Sequence, residues 1–175
     1  IELVEKRNEN GYTCMRDVVR DINHSYRICH YHYSGYVSVI DSIDSYFKTS
    51  MNLLNSDTWE KLFLKDYPIF TKVKDEPPTR YLKGASVKNS MIANGCRIDG
   101  IVENSIISRG VIIGKGTVIK NSIIMQKSQI GENCVLDSVI LDKDVKIESE
   151  KMLIGSPHSP YVIRKGSIQG ALMNK

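Results

Sequence analysis

A chain of 175 residues with 41% hydrophobic and 25% charged side chains has the size and balance of one or two globular domains, which excludes disordered and fibrous classes. No window approaches 18 consecutive apolar residues, so no membrane partner is expected. The net charge of +4 comes from scattered Lys and Arg rather than from a run, so no nucleic-acid partner is expected either, and small anions suit the surplus.

The opening "IELVEKRNENGY" lacks a Met, carries no signal peptide and reads as mid-element, so the chain is expected to be part of something longer. Cys14, Cys29, Cys96 and Cys134 show neither CxxC nor zinc-finger spacing, and read as reduced thiols of a cytoplasmic protein. "TCMRDVVRDIN" places Met15, Val18, Val19 and Ile22 at helical spacing, and "SYRICHYHY" alternates like a strand. "GYVSVIDSIDSYFKTSMNLL" reads as strand, turn and helix. Ile43, Phe47, Met51 and Leu54 share one helix face, and Asp41 with Asp44 three residues on approximates a capping box. "SDTWEKLFL" is a short helix capped by Ser56 or Asp57. "YPIFTKVKDEPPTRY" is an extended linker, since Pro77 and Pro78 forbid helix.

From Ala85 the pattern changes. "NSMIANGCRI", "NSIISRGVIIG", "NSIIMQKSQIG" and "DSVILDKDVKI" begin at Asn89, Asn104, Asn121 and Asp137, a repeat of 15 to 17 residues. A looser six-residue beat runs inside it, as in "IGKGTV" and "IGENCV". Aliphatics would point inward from short strands, and Gly, Asn and Asp would take corners that need positive φ. Three such strands per coil make a triangular parallel β-helix. An antiparallel sandwich competes with this reading, but sandwiches rarely repeat both a dipeptide and a period.

The linker "YPIFTKVKDEPPTRY", the junction "GYVSVIDSIDSYFKTSMNLL" and the repeats ending "MLIG" resemble the C-terminal part of glucose-1-phosphate adenylyltransferase, also called ADP-glucose pyrophosphorylase. The resemblance covers essentially the whole chain. It implies the end of an α/β, Rossmann-like nucleotidyltransferase domain at 1–66, a linker at 67–83 and a left-handed parallel β-helix at 84–175. It also implies glycogen biosynthesis, with ADP-glucose and pyrophosphate made from ATP and glucose-1-phosphate with magnesium in a regulated oligomer. Where the family carries a metal-binding Asp, this chain has Val39, beside Val37, Ser38 and Asp41; "CMRDVVR" keeps Asp17 but has Arg16 in place of the family's Lys. The family's Gly-rich nucleotide loop is not in this sequence. The pattern resembles a modulator-type second subunit, of the kind that accompanies the catalytic one in Gram-positive bacteria. No catalytic, metal-binding or cofactor-binding residue is therefore expected here. The expected partners are a catalytic adenylyltransferase subunit, further copies of the chain, and an anionic metabolite. For the last, the resemblance points to Arg164 and Lys165 in "RKGSIQG".

The other candidates read as structural. Asp41 and Asp44 fit caps better than metal ligands. His30 and His32 would share a strand face without a third zinc ligand, and His158 sits in a turn. A hexapeptide-repeat acyltransferase is the alternative function, but no histidine falls between Ala85 and Pro157 to serve as its base.

Overall fold

The computed structural model describes residues 5, 11, 15–22, 27, 29–63, 66, 68–70 and 74–170. Cys14, part of the expected strand at 25–33 and part of the linker at 71–73 lie outside them. The chain divides into two compact units, 1–35 and 36–175.

In the first unit, helix α1 (Met15–Ile22) buries Val18 and leaves Val19 exposed; Asp17 and Arg20 form an ion pair at 3.7 Å. The strand expected at "SYRICHYHY" is absent from the residues described there: Arg27 and Cys29–Ser34 carry no strand and are exposed. The strand expected at "GYVSV" is absent too. Alternation only equips a segment for pairing, and an isolated strand without a neighbour has nowhere to place its ladder hydrogen bonds.

In the second unit, two helices precede the repeats. Helix α2 (Ile43–Asn52) is capped by Ser42, not Asp41. Ser45 N donates to Ser42 Oγ at 3.1 Å and Ser42 N to Ser45 Oγ at 2.9 Å, a reciprocal box built from two serines. Asp41 supports it by accepting from Ser45 Oγ at 3.1 Å, and Asp44 pairs with Lys48 at 2.8 Å. Ser42→Ala should lower unfolding free energy by about 1 kcal/mol in a urea titration, whereas Asp41→Asn should be near neutral. Helix α3 (Ser56–Leu62) is capped by Asn55, whose Oδ1 accepts from Asp57 N at 2.9 Å, so this cap lies before the expected Ser56 or Asp57.

Among the described residues the repeats then wind through sixteen short strands: β1 (Arg80–Tyr81), β2 (Ser86–Lys88), β3 (Met91–Ile92), β4 (Arg97–Ile98), β5 (Ile101–Glu103) and β6 (Ile106–Ile107). They continue as β7 (Ile112–Ile113), β8 (Val118–Lys120), β9 (Ile123–Ile124), β10 (Gln129–Ile130) and β11 (Val135–Asp137). The last are β12 (Val139–Leu141), β13 (Lys146–Ile147), β14 (Met152–Ile154), β15 (Tyr161–Ile163) and β16 (Ile168–Gln169). Every third strand pairs in parallel, giving sheets ordered β1-β4-β7-β10-β13-β16, β2-β5-β8-β11-β14 and β3-β6-β9-β12-β15. We call them the first, second and third sheets. The result is a three-sided parallel β-helix, consistent with the left-handed form expected of hexapeptide repeats.

Inward aliphatics fill the triangle. Ile98, Val102, Ile107, Ile113, Ile119, Ile124, Leu136, Leu141 and Ile147 are at most 1% exposed. Small polar residues inside the corners bind backbone of the next coil. Thr117 Oγ1 donates to Gly131 O at 2.6 Å and accepts from Cys134 N at 3.1 Å. Burial raises the Cys96 thiol pKa, so it stays protonated and donates to Ser108 O at 3.1 Å.

Between the second and third sheets, Asn89, Asn104 and Asn121 hold positive φ and their side chains form a ladder. Asn89 Nδ2 donates to Asn104 Oδ1 at 2.9 Å, Asn104 Nδ2 to Asn121 Oδ1 at 2.7 Å, and Asn121 Nδ2 to Asp137 Oδ1 at 3.0 Å. In the fourth repeat the backbone position passes to Ser138 (φ 55°), because Asp137 pairs in register with Lys120. The repeat is thus one residue out of the phase read from "DS". The outer face of the third sheet is covered in part by α2, whose Phe47 is buried with Ile123 and Ile140 against Tyr46, Met51 and Met125.

Candidate functional site

The corner that leads from the third sheet back to the first carries the charge. Its tight turns stack through backbone hydrogen bonds: Lys127 N donates to Arg109 O, Asp144 N to Gln126 O and Gly166 N to Lys143 O, at 2.9 to 3.0 Å. One column therefore runs Asn94, Arg109, Gln126, Lys143, Lys165. The next runs Gly95, Gly110, Lys127, Asp144, Gly166, all with positive φ. Coils repeat at about 4.8 Å, so cations far apart in sequence become neighbours.

Beside this corner lies a cavity of about 290 Å³ lined by Lys74, Glu76, Arg109, Gln126, Lys127, Lys143 and Asp144. That is at the small end of the roughly 300–1,000 Å³ typical of ligand sites. Lys74 comes from the extended segment before β1, which is tied to the same corner by Gly95 N donating to Pro77 O at 2.6 Å. Four cations against two carboxylates leave the cavity positive, and none of the four has an ion-pair partner among the described residues. Gln126 Oε1 is buried there without a hydrogen-bond partner. Turning that amide over would aim N–H donors at an anion. A phosphate or carboxylate group is the chemistry such a cavity fits, with Arg109 able to bind two oxygens and the lysines acting as point charges.

Arg164 and Lys165 are exposed in the turn between β15 and β16. Lys165 continues the Arg109–Lys143 column, so the two flank the cavity from the adjoining coil rather than line it. Sequence reasoning missed Lys74, Arg109, Lys127 and Lys143. For the three corner residues the available signal was phase: "SRG", "MQK", "DKD" and "RKG" each follow a strand of the third sheet.

The other candidates stay apart from this corner. Val39 is 60% exposed and offers no oxygen, Asp41 serves the cap and Asp44 holds Lys48, so these residues do not fit a magnesium site. Among the described residues no group of three His, Cys, Asp or Glu could hold a metal. His30 and His32 are exposed on irregular chain and not on the strand expected for them. His158 is exposed in the turn closed by Ser156 and Ser159, outside the coils, so it does not supply the base that an acyltransferase would need between them.

A family model described as GlmU-like, C-terminal hexapeptide matches residues 77–160. The chain is 50% identical over 173 residues to the glycogen biosynthesis protein GlgD of Bacillus subtilis, covering 99% of this chain and 50% of that protein. It is 54% identical over 175 residues to GlgD of Geobacillus stearothermophilus, covering all of this chain and 51% of the relative. Glucose-1-phosphate adenylyltransferase of Fervidobacterium nodosum is 29% identical over 143 residues, 82% of this chain and 34% of that enzyme. The chain thus spans about half the length of its GlgD relatives.

Proposed function

Because the chain is homologous to the GlgD glycogen biosynthesis proteins along its whole length, and related to the C-terminal region of glucose-1-phosphate adenylyltransferase, we propose that it is the C-terminal portion of a regulatory subunit in glycogen biosynthesis. In this reading a catalytic adenylyltransferase subunit, with its magnesium, makes ADP-glucose and pyrophosphate from ATP and glucose-1-phosphate. The present chain supplies a rigid β-helix for assembly and a cationic corner for an anionic effector. Residues 1–66 are the end of the nucleotidyltransferase domain, 67–83 the linker and 84–175 the β-helix domain of that subunit, which works in the cytoplasm.

The observation that carries the regulatory reading is the cavity framed by Lys74, Arg109, Lys127 and Lys143. Cations that line one cavity repel one another, by an amount that falls with their separation. A doubly charged phosphate between them converts that repulsion into attraction. Its binding would also tie Lys74, in the segment entering the β-helix, to coils several strands further along. An effector bound there stabilises one placement of that segment, which is the physical content of regulation through this site.

The test is an ADP-glucose assay of the full-length subunit that carries this chain, alone and mixed with its catalytic partner. The expected result is activity near background alone and a several-fold rise in the partner's activity on mixing. Strong synthesis by the subunit alone would overturn the regulatory reading.

A further inference from the structure

A second cavity, also of about 290 Å³, lies between α2 and the corner that joins the second and third sheets. Three elements frame it. Helix α2 supplies Phe47, Met51 and Asn52, the corner supplies Asn104 and Asn121, and the turn between β14 and β15 supplies Pro157. That turn, 155–160, is the exception at its corner, because the earlier coils pass from the second sheet to the third through only one or two residues. It is closed by Ser156 and Ser159, each backbone N–H donating to the other's carbonyl at 3.0 Å.

This lining offers no uncompensated charge. Its charged side chain, Lys48, is held by Asp44 at 2.8 Å within α2. Amides supply the polarity instead. Asn104 and Asn121 each donate one Nδ2–H to the ladder, and each has a second N–H with no acceptor among the described residues. The Asn52 amide has no hydrogen-bond partner among them either. Phe47, Met51 and Pro157 provide apolar surface beside these amides. Neutral donors and acceptors set against apolar side chains match a neutral polyhydroxyl ligand, whose hydroxyls bond the amides while its C–H face packs on the carbon surface. A phosphate finds no unpaired cation here, in contrast to the cationic corner.

We infer that this cavity is a binding site for a neutral saccharide, with the turn of Pro157 as one wall. The connections that contribute to it follow β5, β8 and β14, and so belong to different coils of a stack that rises by about 4.8 Å per coil. The lining therefore extends along the stack, which suits a short chain of sugar rings better than a single ring. A short α-glucan is the saccharide to which the site is assigned, and that choice rests on the proposed place of the chain in glycogen biosynthesis. The chemistry of the site depends neither on the cationic corner nor on its regulatory role.

Titration of the full-length subunit with maltotriose, read by calorimetry and by saturation-transfer NMR of the sugar, provides the test. Saturable binding is expected. It should be the same at low and high salt, because no net charge is involved, and the same in Lys143→Ala, which alters only the cationic corner. Asn52→Ala should weaken it roughly three- to tenfold, the loss expected for a neutral hydrogen bond. Asn52 is exposed at the end of α2, so this variant keeps the core intact. Asn104→Gly retains the positive φ of that corner and should weaken binding at least as much, with circular dichroism confirming the fold. An absence of saturable binding, binding unchanged by both substitutions, or binding lost in Lys143→Ala or in high salt would each overturn the proposal. The mixing assay that tests the regulatory reading contains no saccharide polymer, so either reading can fail while the other stands.

Discussion

Leu136→Ala should destabilise the β-helix by about 2–5 kcal/mol, the range for emptying a fully buried aliphatic site that cannot collapse. Leu136 is wholly buried at the centre of β11, in register with Ile119 on β8 and Leu153 on β14. A β-helix has no second layer to close such a cavity. Each coil buries its inner face only against its neighbours, so a void interrupts the stack along its axis. The change should appear as a large drop in the urea midpoint. Met152→Ala, at an outward and 68% exposed position one strand away, should stay within about 0.5 kcal/mol of the parent. Equal losses at the two positions would contradict the inward and outward assignment.

Lys143→Ala should weaken phosphate binding to the full-length subunit at least tenfold, with Lys127→Ala comparable and Arg109→Ala larger. A hydrogen bond to a charged group is worth about 1.5–3 kcal/mol net, which corresponds to roughly 10- to 100-fold in affinity. Arg109 exceeds the lysines because its planar fork can hold two oxygens. Arg164→Ala and Lys165→Ala should have smaller, more salt-sensitive effects, because both flank the cavity from solvent. Titration calorimetry with inorganic phosphate, then a glycolytic sugar bisphosphate, measures this, and circular dichroism confirms that the variants fold. An affinity unchanged by Lys143→Ala would remove the corner as an anion site. A loss of binding with no change in the partner's stimulation would keep the site but detach it from regulation.

The β-helix was legible because its grammar is local. In "NSIISRGVIIG" the buried Ile107 and Ile113 and the corner Asn104 and Gly110 each sit where period and backbone preference put them. Gly114, in the same segment, is required by a neighbour: a Cβ there would lie 2.5 Å from Gly131 O of the next coil. The caps were off by one residue because reach decided them. Ser42 and Ser45 have the short hydroxyls that return to the helix backbone, while Asp41 lies one position too early and binds Ser45 instead. The strands read at 25–33 and 35–39 failed for a different reason. Alternation in "CHYHY" describes what a strand could bury, yet Tyr31 is 88% exposed and no ladder forms among the residues described there.

The sequence by itself determined the coil: which residues point inward, and where the corners fall in all but the fourth repeat, whose corner lies at Ser138 rather than Asp137. It did so because those properties depend on residues within one turn of the chain. Only the tertiary structure decided which surfaces act together. Arg109, Lys127 and Lys143 come to line one cavity because parallel coils stack in register at about 4.8 Å and place corners some fifteen or more positions apart side by side, and Lys74 joins them from the segment before β1. Charge acts through space, so its pattern stays hidden in the sequence until the register of the coils is known.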